Sequence, residues 1–375
     1  MRAGRACLFE SDELRYTNMR RPGETLETRR VRGSEEPRRR LLMMLRRAMV
    51  KLLGALTVLA GIGASQDASA ADVIKIGTLA PKSSPWGQVF SVWEKAVKEK
   101  SGGRLELQFF YNGQQGDEGA MVGKMKAGQL DGAAVTAVGL GKVYKPILAL
   151  QMPGLFSSWA KLDAAREAMR PEFEKGAADA GFRILGWGDV GRAHLMSKGF
   201  AIRSPGDFAG KKPYVWRDDA AMPVFFQVVG GVTPVPLNIP EVLPNLNTGA
   251  INVLVAPALA AEQLQWASKL DHIVADTSGF AIGALVVNSK KIDALPGDLK
   301  AILQDTGKVA ANALTQRIRK EDDAAFGRLK GKMTVVELTA DEKAKWQGLF
   351  KQVRGRLTQG TFAPGLVAKL EGLGG

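Results

Sequence analysis

Beyond residue 70 the apolar positions fall into short blocks whose period alternates between two and about 3.6. VIKIGTLAP begins as a β-branched run and ends at a proline turn. The next block sets Trp86, Val89, Phe90, Trp93, Ala96 and Val97 at helical spacing before Gly102 and Gly103 stop it. LELQFFYNG predicts a second strand, GDEGAMVGKMKAGQLDG a second helix and AAVTAVG a third strand. This order, with short turns, predicts a parallel, doubly wound sheet.

Further along, PGLFSSWAKLDAAREAMRPEFEKGAADAG predicts helices separated at Pro171, because proline removes a helical hydrogen bond. FRILGWGDVG predicts a buried strand ending in a glycine-rich segment where the chain can cross to a second lobe. HLMSKGFAIRSPGDFAGKKPYVWRDD predicts two more strands around a turn at Ser204-Pro205-Gly206-Asp207. AAMPVFFQVVGG, GVTPVPL and IPEVLPNLNTGAINVLVAP supply helix, strand, helix and strand, a second repeating unit at residues 194 to 280. The chain returns through a strand at IGALVVN and a long amphipathic helix from near Pro296 past residue 320.

The fold class expected is therefore α/β: two lobes of the periplasmic-binding-protein kind (type II-like), with doubly wound sheets and a long C-terminal helix. Residues 71–193 and 281–375 make the first lobe and residues 194–280 the second. In such folds a ligand sits outside the carboxyl ends of the strands, in the crevice between lobes.

Residues 1–42, including RPGETLETRRVRGSEEPRRR, show no apolar period, as expected of a disordered extension or of sequence ahead of a true start at Met43, Met44 or Met49. In residues 43–70, Arg46, Arg47 and Lys51 precede an apolar run from Leu52 to Ala64 and an Ala68-Ser69-Ala70 site, the pattern of a signal peptide cut after Ala70. The run of about 13 residues is short of the roughly 20 that a membrane-spanning helix needs. The product is expected in the periplasm.

The leader changes the charge picture. The first 70 residues carry 14 Lys and Arg against 8 Asp and Glu, so the remainder keeps +8 of the formal +14. No basic run is interleaved with aromatics beyond residue 71, which argues against a nucleic-acid partner. Cys7, the one cysteine, lies ahead of the cut, so no disulfide, thiol nucleophile or cysteine metal site is expected. Asp218-Asp219 and Asp322-Asp323 lack metal-ligand spacing and read as solvated faces. With His194 and His272 far apart and no G-x-S-x-G elbow, the sequence points to binding without catalysis, cofactor or metal.

The succession SSPWGQVF, KSGGRLELQFFYNGQQG, MKAGQLDGAAVT, LQMPGLF, IRSPGDFAGKKP and LPNLNTGAINVLVAP resembles, in order and spacing, the solute receptors of TRAP (tripartite ATP-independent periplasmic) transporters over nearly all of residues 72–350. The resemblance implies a receptor that closes on a small organic anion and delivers it to the small and large subunits of an ion-driven membrane permease. It also allows a homodimer through the long C-terminal helix, as in some relatives.

In most members of that family the strand after a D-x-x-G-x-K turn begins with an arginine that grips the ligand carboxylate. Here the turn is Asp207 to Lys212 and the position is Tyr214. A second ligand-facing position falls at His194, with Arg192 close by, and the family's usual Asp near TGAIN is Asn252. These departures imply either an organic acid held by a displaced Arg192, His194 or Arg217, or a more hydrophobic monocarboxylate held by apolar walls. The alternative outside carboxylate import is a periplasmic lipid or hydrophobic-ligand carrier, or a sensory subunit.

The expected ligand-binding residues are Trp86, Tyr111, Trp187, Arg192, His194, Tyr214, Trp216, Arg217 and Pro257. Side chains alternate along a strand, so Tyr214 and Trp216 share one face and Arg217 takes the other. Each has a plainer role open to it: packing for the aromatics, a hydrogen-bonded structural place for His194, and pairing with Asp218 or Asp219 for Arg217.

Overall fold

The computed structural model describes residues 71–374. The extension and leader read at residues 1–70, with the cut after Ala70, lie outside the described residues. The chain opens with β1 (Asp72–Thr78), α1 (Pro85–Lys100), β2 (Leu105–Phe110), α2 (Glu118–Lys126), β3 (Gly132–Thr136), α3 (Ala137–Val143), α4 (Trp159–Asp179) and β4 (Phe182–Ser197). Then come β5 (Tyr214–Trp216), α5 (Met222–Val229), β6 (Val235–Leu237), α6 (Ile239–Thr248), β7 (Val253–Pro257), α7 (Ala258–Gln263) and β8 (His272–Val274). It closes with β9 (Gly279–Asn288), α8 (Ser289–Asp293), α9 (Gly297–Lys330), β10 (Thr334–Val336), α10 (Ala340–Leu357) and α11 (Pro364–Gly374).

The main sheet runs β10-β8-β4-β9-β3-β1-β2, with β7 also on β4, and β5 and β6 form a separate parallel pair. The expected parallel unit is present in β2-β1-β3 and again in β5-β6, which a parallel bridge from Pro213 to Val253 joins to β7. The main sheet as a whole is mixed, because β9 runs antiparallel to β3 and to β4. This two-lobed α/β arrangement depends on β4, which pairs with β9 over Phe182–Ala193 and then with β7 over Ala193–Ser197.

Two expectations about chain breaks are corrected. The strand starting at Phe182 does not end in GWGDVG; it continues through His194 to Ser197. Register shifts at Ile184/Gly186 and Asp189/Gly191 absorb the extra residues while β9 keeps supplying partners. Gly191 has φ 142°, and a Cβ there would lie 2.5 Å from the Asp322 carboxyl carbon, so only glycine fits. Likewise Pro171 does not divide α4, which runs unbroken from Trp159 to Asp179. Leu162, Ala165, Met169, Phe173 and Ala177 hold one continuous buried stripe, and Pro171 sits on the exposed face. The carbonyl it leaves without a helical partner belongs to exposed Glu167, where water can serve it.

Helix α9, 34 residues long, lies across β4 and α1. Its fit is tight: a Cβ on Gly186 of β4 would meet Ala311 at 2.3 Å. Asp322 of the same helix is 2% exposed and accepts the amides of Arg192 and Leu259 at 2.8 and 2.9 Å, which ties α9 to β4 and α7. The reading of Asp322-Asp323 as a solvated pair is thereby corrected. Only Asp323 is exposed, and burial raises the Asp322 carboxyl to a pKa of about 6.

Candidate functional site

A cavity of about 280 Å³ opens where the carboxyl ends of β1 and β3 face β5 and β7. One side is built by Leu79 to Pro81 and Trp86 after β1, by Ala134 to Thr136, and by the bulged middle of β4 from Gly186 to Val190. The opposing side is Tyr214 to Trp216, Ala221 and Met222, Val255 to Pro257, and Trp266. Strand β9 closes the base with Gly279 to Ala281 and Gly283 to Leu285. Gly283 is required here, since a Cβ would lie 2.7 Å from the Val135 carbonyl. The wall is mostly aliphatic and aromatic.

No lysine, arginine or histidine belongs to that wall. Its ionisable members are Glu118, Asp189, Asp219 and Tyr214. Asp189 is 2% exposed and neutralised from behind, with Arg166 Nη1 on Oδ1 and Arg319 Nε on Oδ2, both at 2.7 Å, while both arginines also hold Asp163. Glu118 is 1% exposed. Its carboxylate accepts the Thr136 amide at 2.8 Å, the Thr136 hydroxyl at 2.9 Å and the Gly139 amide at 2.8 Å, while burial pushes its pKa up to about 8.

Asp219, expected on a solvated face, is instead half-buried and lines the cavity. Its Oδ1 accepts the amides of Ala221 and Met222 at 2.7 and 3.2 Å, starting α5, and burial raises its pKa. Oδ2 has no donor among the described residues. The Tyr214 hydroxyl is also buried without a hydrogen-bond partner, and burial pushes its pKa well above the ordinary value. A buried polar group left unpaired costs about 1–3 kcal/mol. The cavity therefore offers an apolar body site, with the Tyr214 hydroxyl buried behind its surface.

Of the residues singled out from sequence, Trp86, Trp187, Tyr214, Trp216 and Pro257 line this cavity. The indoles are oriented by protein partners: Trp86 Nε1 toward the Asp189 carbonyl at 3.5 Å, Trp187 Nε1 to Glu174 at 3.0 Å and Trp216 Nε1 to Asp117 at 2.9 Å. Four others stand outside the wall. Tyr111 is buried between Phe109 and Ser91. Arg192 pairs with Asp323 at 3.0 Å. His194 is 3% exposed, with Nδ1 3.1 Å from the Val274 carbonyl and its ring stacked on Phe326; burial pulls its pKa to about 4, so it is neutral at pH 7. Arg217 is exposed and pairs with Glu241 at 3.1 Å, rather than with Asp218 or Asp219.

Glu118 escaped the sequence reading because it looks like a helix-start residue, which it also is, and Asp219 reads with Asp218 as a solvated face because nothing local marks its burial. Asn252 accepts the Lys212 amide at 2.9 Å and donates its own to the Lys212 carbonyl at 3.0 Å, which fixes the start of β5 and so the place of Tyr214.

Residues 76–359 match the model of bacterial extracellular solute-binding protein, family 7, DctP. The chain belongs to this family. Among its relatives, the C4-dicarboxylate-binding periplasmic protein of Rhodobacter capsulatus is 20% identical over 84% of this chain and 95% of its own. A solute-binding protein of Verminephrobacter eiseniae is 22% identical over 72% and 81%. The fold is shared with the TRAP periplasmic solute-binding protein of Sulfurospirillum deleyianum holding succinate (TM-score 0.75, 20% identity, 81% of this chain and 99% of that one). It is shared also with the sugar-acid-binding protein of Advenella mimigardefordensis in complex with galactonate (TM-score 0.76, 16% identity, 81% and 98%). The receptor described here is thus a TRAP-type solute-binding protein.

Proposed function

We propose that this receptor captures a small organic solute with a largely apolar body in the cavity between β1-β3 and β5-β7, and hands it to the small and large membrane subunits of a TRAP permease. The observation that carries the reading is the apolar wall contributed from both sides without a cation. Burying an unpaired carboxylate is costly, so a short dicarboxylate or a sugar acid, with several charged or polar groups and little apolar surface, fits poorly. A monocarboxylic acid with a large apolar tail, or an uncharged counterpart, fits better.

The receptor works in the periplasm in this reading, after removal of residues 43–70. The lobes, residues 71–193 with 281–375 and residues 194–280, close on the solute, and no catalysis takes place. The second reading, a conventional organic acid, is favoured by the succinate and galactonate bound to the two structural relatives.

A thermal-shift screen of the purified receptor separates them, using short dicarboxylates, sugar acids, branched-chain and aromatic monocarboxylates, and long-chain apolar compounds. A ligand at a hundred times its dissociation constant adds about 2.7 kcal/mol, a rise of several degrees. Hits are expected among the apolar-bodied compounds; hits confined to succinate or sugar acids would reject the proposal.

A further inference from the structure

We infer that Gln151 reads the solute's polar head: its Nε2 donates to a carboxylate or carbonyl oxygen at the carboxyl end of β3. This deepens the proposed function and rests on the cavity being the solute site.

Strand β9 pairs with β3 from Gly283, opposite Thr136, to Val287. Ile282 stands one residue before that pairing begins, where β3 has already ended, and Gln151 Oε1 accepts its amide at 2.9 Å instead. The Gln151 carboxamide therefore sits at the carboxyl end of β3, where folds of this class hold their ligands. The bond also decides which way the amide faces. A backbone N–H can only donate, so the oxygen lies toward Ile282 and the NH2 group turns away. Gln151 is half-buried and belongs to the cavity wall. Its Nε2 has no partner among the described residues and, unlike the Tyr214 hydroxyl, is not shut off from contact.

The other side-chain donors of the wall are committed or unfixed. Trp86, Trp187 and Trp216 turn their indole N–H groups to protein acceptors. Thr136 Oγ1 donates to Glu118, and Ser278 Oγ to the Ala193 carbonyl at 3.1 Å. Gln263, the other carboxamide of the wall, has no hydrogen bond among the described residues to hold it in one orientation. A donor held in place before the solute arrives loses little side-chain freedom on binding, which favours Gln151 over Gln263. A bond from a neutral N–H to an ionised carboxylate is stronger than one to a neutral oxygen, so a single acid group gains most from this contact. A second carboxylate would find no such donor and no cation. The solute class that fits is a monocarboxylate on an apolar body.

The test measures binding of 4-phenylbutyrate and butylbenzene to the full chain at pH 8 by calorimetry, on wild type, Gln151→Glu and Gln151→Met, with circular dichroism confirming each fold. Gln151→Glu keeps an oxygen for the Ile282 amide and replaces the donor with an acceptor; Gln151→Met removes the donor at similar length. Wild type is expected to bind the carboxylate at least about tenfold tighter than butylbenzene, and both variants to lose that margin, with butylbenzene unchanged within about twofold. A carboxylate no tighter than butylbenzene on wild type, a carboxylate indifferent to both substitutions, or a parallel loss of butylbenzene overturns the inference with the cavity site left standing. Failure of both probes on wild type removes the cavity as the solute site and the inference with it.

Discussion

Trp216 Nε1 donates to Asp117 Oδ2 at 2.9 Å, and the same oxygen accepts the Ile239 amide at 3.0 Å. Asp117 Oδ1 meanwhile caps α2 by accepting the Glu118 amide at 2.8 Å. One carboxylate thus fastens β5 and the start of α6 to the helix after β2. Lys142 on Asp218 at 2.8 Å lies beside it.

Asp117→Ala should therefore loosen β5 and α6 from α2. It orphans an indole N–H and a buried amide, each costing about 1–3 kcal/mol, and removes a cap worth about 1 kcal/mol. The expected outcome is a melting temperature lower by several degrees and a larger radius of gyration in solution scattering. An unchanged radius would show that the clasp does not control opening.

The Asp189 site predicts a larger loss. Its carboxylate, 0% exposed, is shared by Arg166 and Arg319, so Asp189→Ala leaves two partly buried guanidinium groups to the single carboxylate of Asp163. Breaking such a buried pair costs about 3–5 kcal/mol. Urea unfolding of Asp189→Ala should show a loss of that size; a loss below about 1 kcal/mol would mean that Asp163 alone satisfies both arginines.

Glu118 sets a pH dependence. Its pKa rises from the ordinary 4.5 to about 8 in the fold, because burial outweighs the three hydrogen bonds. A raised folded pKa gives stability that is complete below about pH 4.5 and is lost as pH climbs through about 8. Glu118→Gln removes that slope, so its melting temperature should gain on wild type steadily between those limits. Parallel curves would show that the carboxylate is ionised throughout. His194 acts with the opposite sign: its pKa is lowered from 6.5 to about 4, so its contribution is lost as pH falls through 4.

Position 214 and position 217 should separate cleanly. Tyr214→Arg places a cation in the cavity wall, and affinity for short carboxylates should rise at least tenfold by calorimetry. Arg217 is exposed and paired with Glu241 on the surface, so Arg217→Ala should change affinity less than twofold and stability by less than about 0.5 kcal/mol. The reverse pattern would place the ligand's head group at Arg217.

The alternating and helical periods were enough to read β1, α1, β2, α2 and β3, the helix-strand series from Met222 to Pro257, and the long helix from Gly297. They misplaced the continuity of β4 and of α4, because a glycine-rich run and Pro171 are local break signals that a complete partner strand and a buried stripe override. Part of the aromatic contribution to the cavity was equally legible, since Trp86, Tyr214 and Trp216 stand at a turn or in a short strand where the fold class puts its crevice, whereas Trp187 reaches the cavity from the bulged middle of β4. Arg192, His194 and Arg217 were not, because their partners Asp323, Val274 and Glu241 are distant in sequence.

By itself the sequence determined the two-lobed architecture and the family. Those follow from short-range pattern and from residue identity. Only the tertiary structure decided the chemistry of the cavity, because charge there depends on which partners converge. Glu118 fills the donors at Thr136 and Gly139, Asp189 is cancelled by Arg166 and Arg319, and Tyr214 and Asp219 each keep one polar atom without a partner.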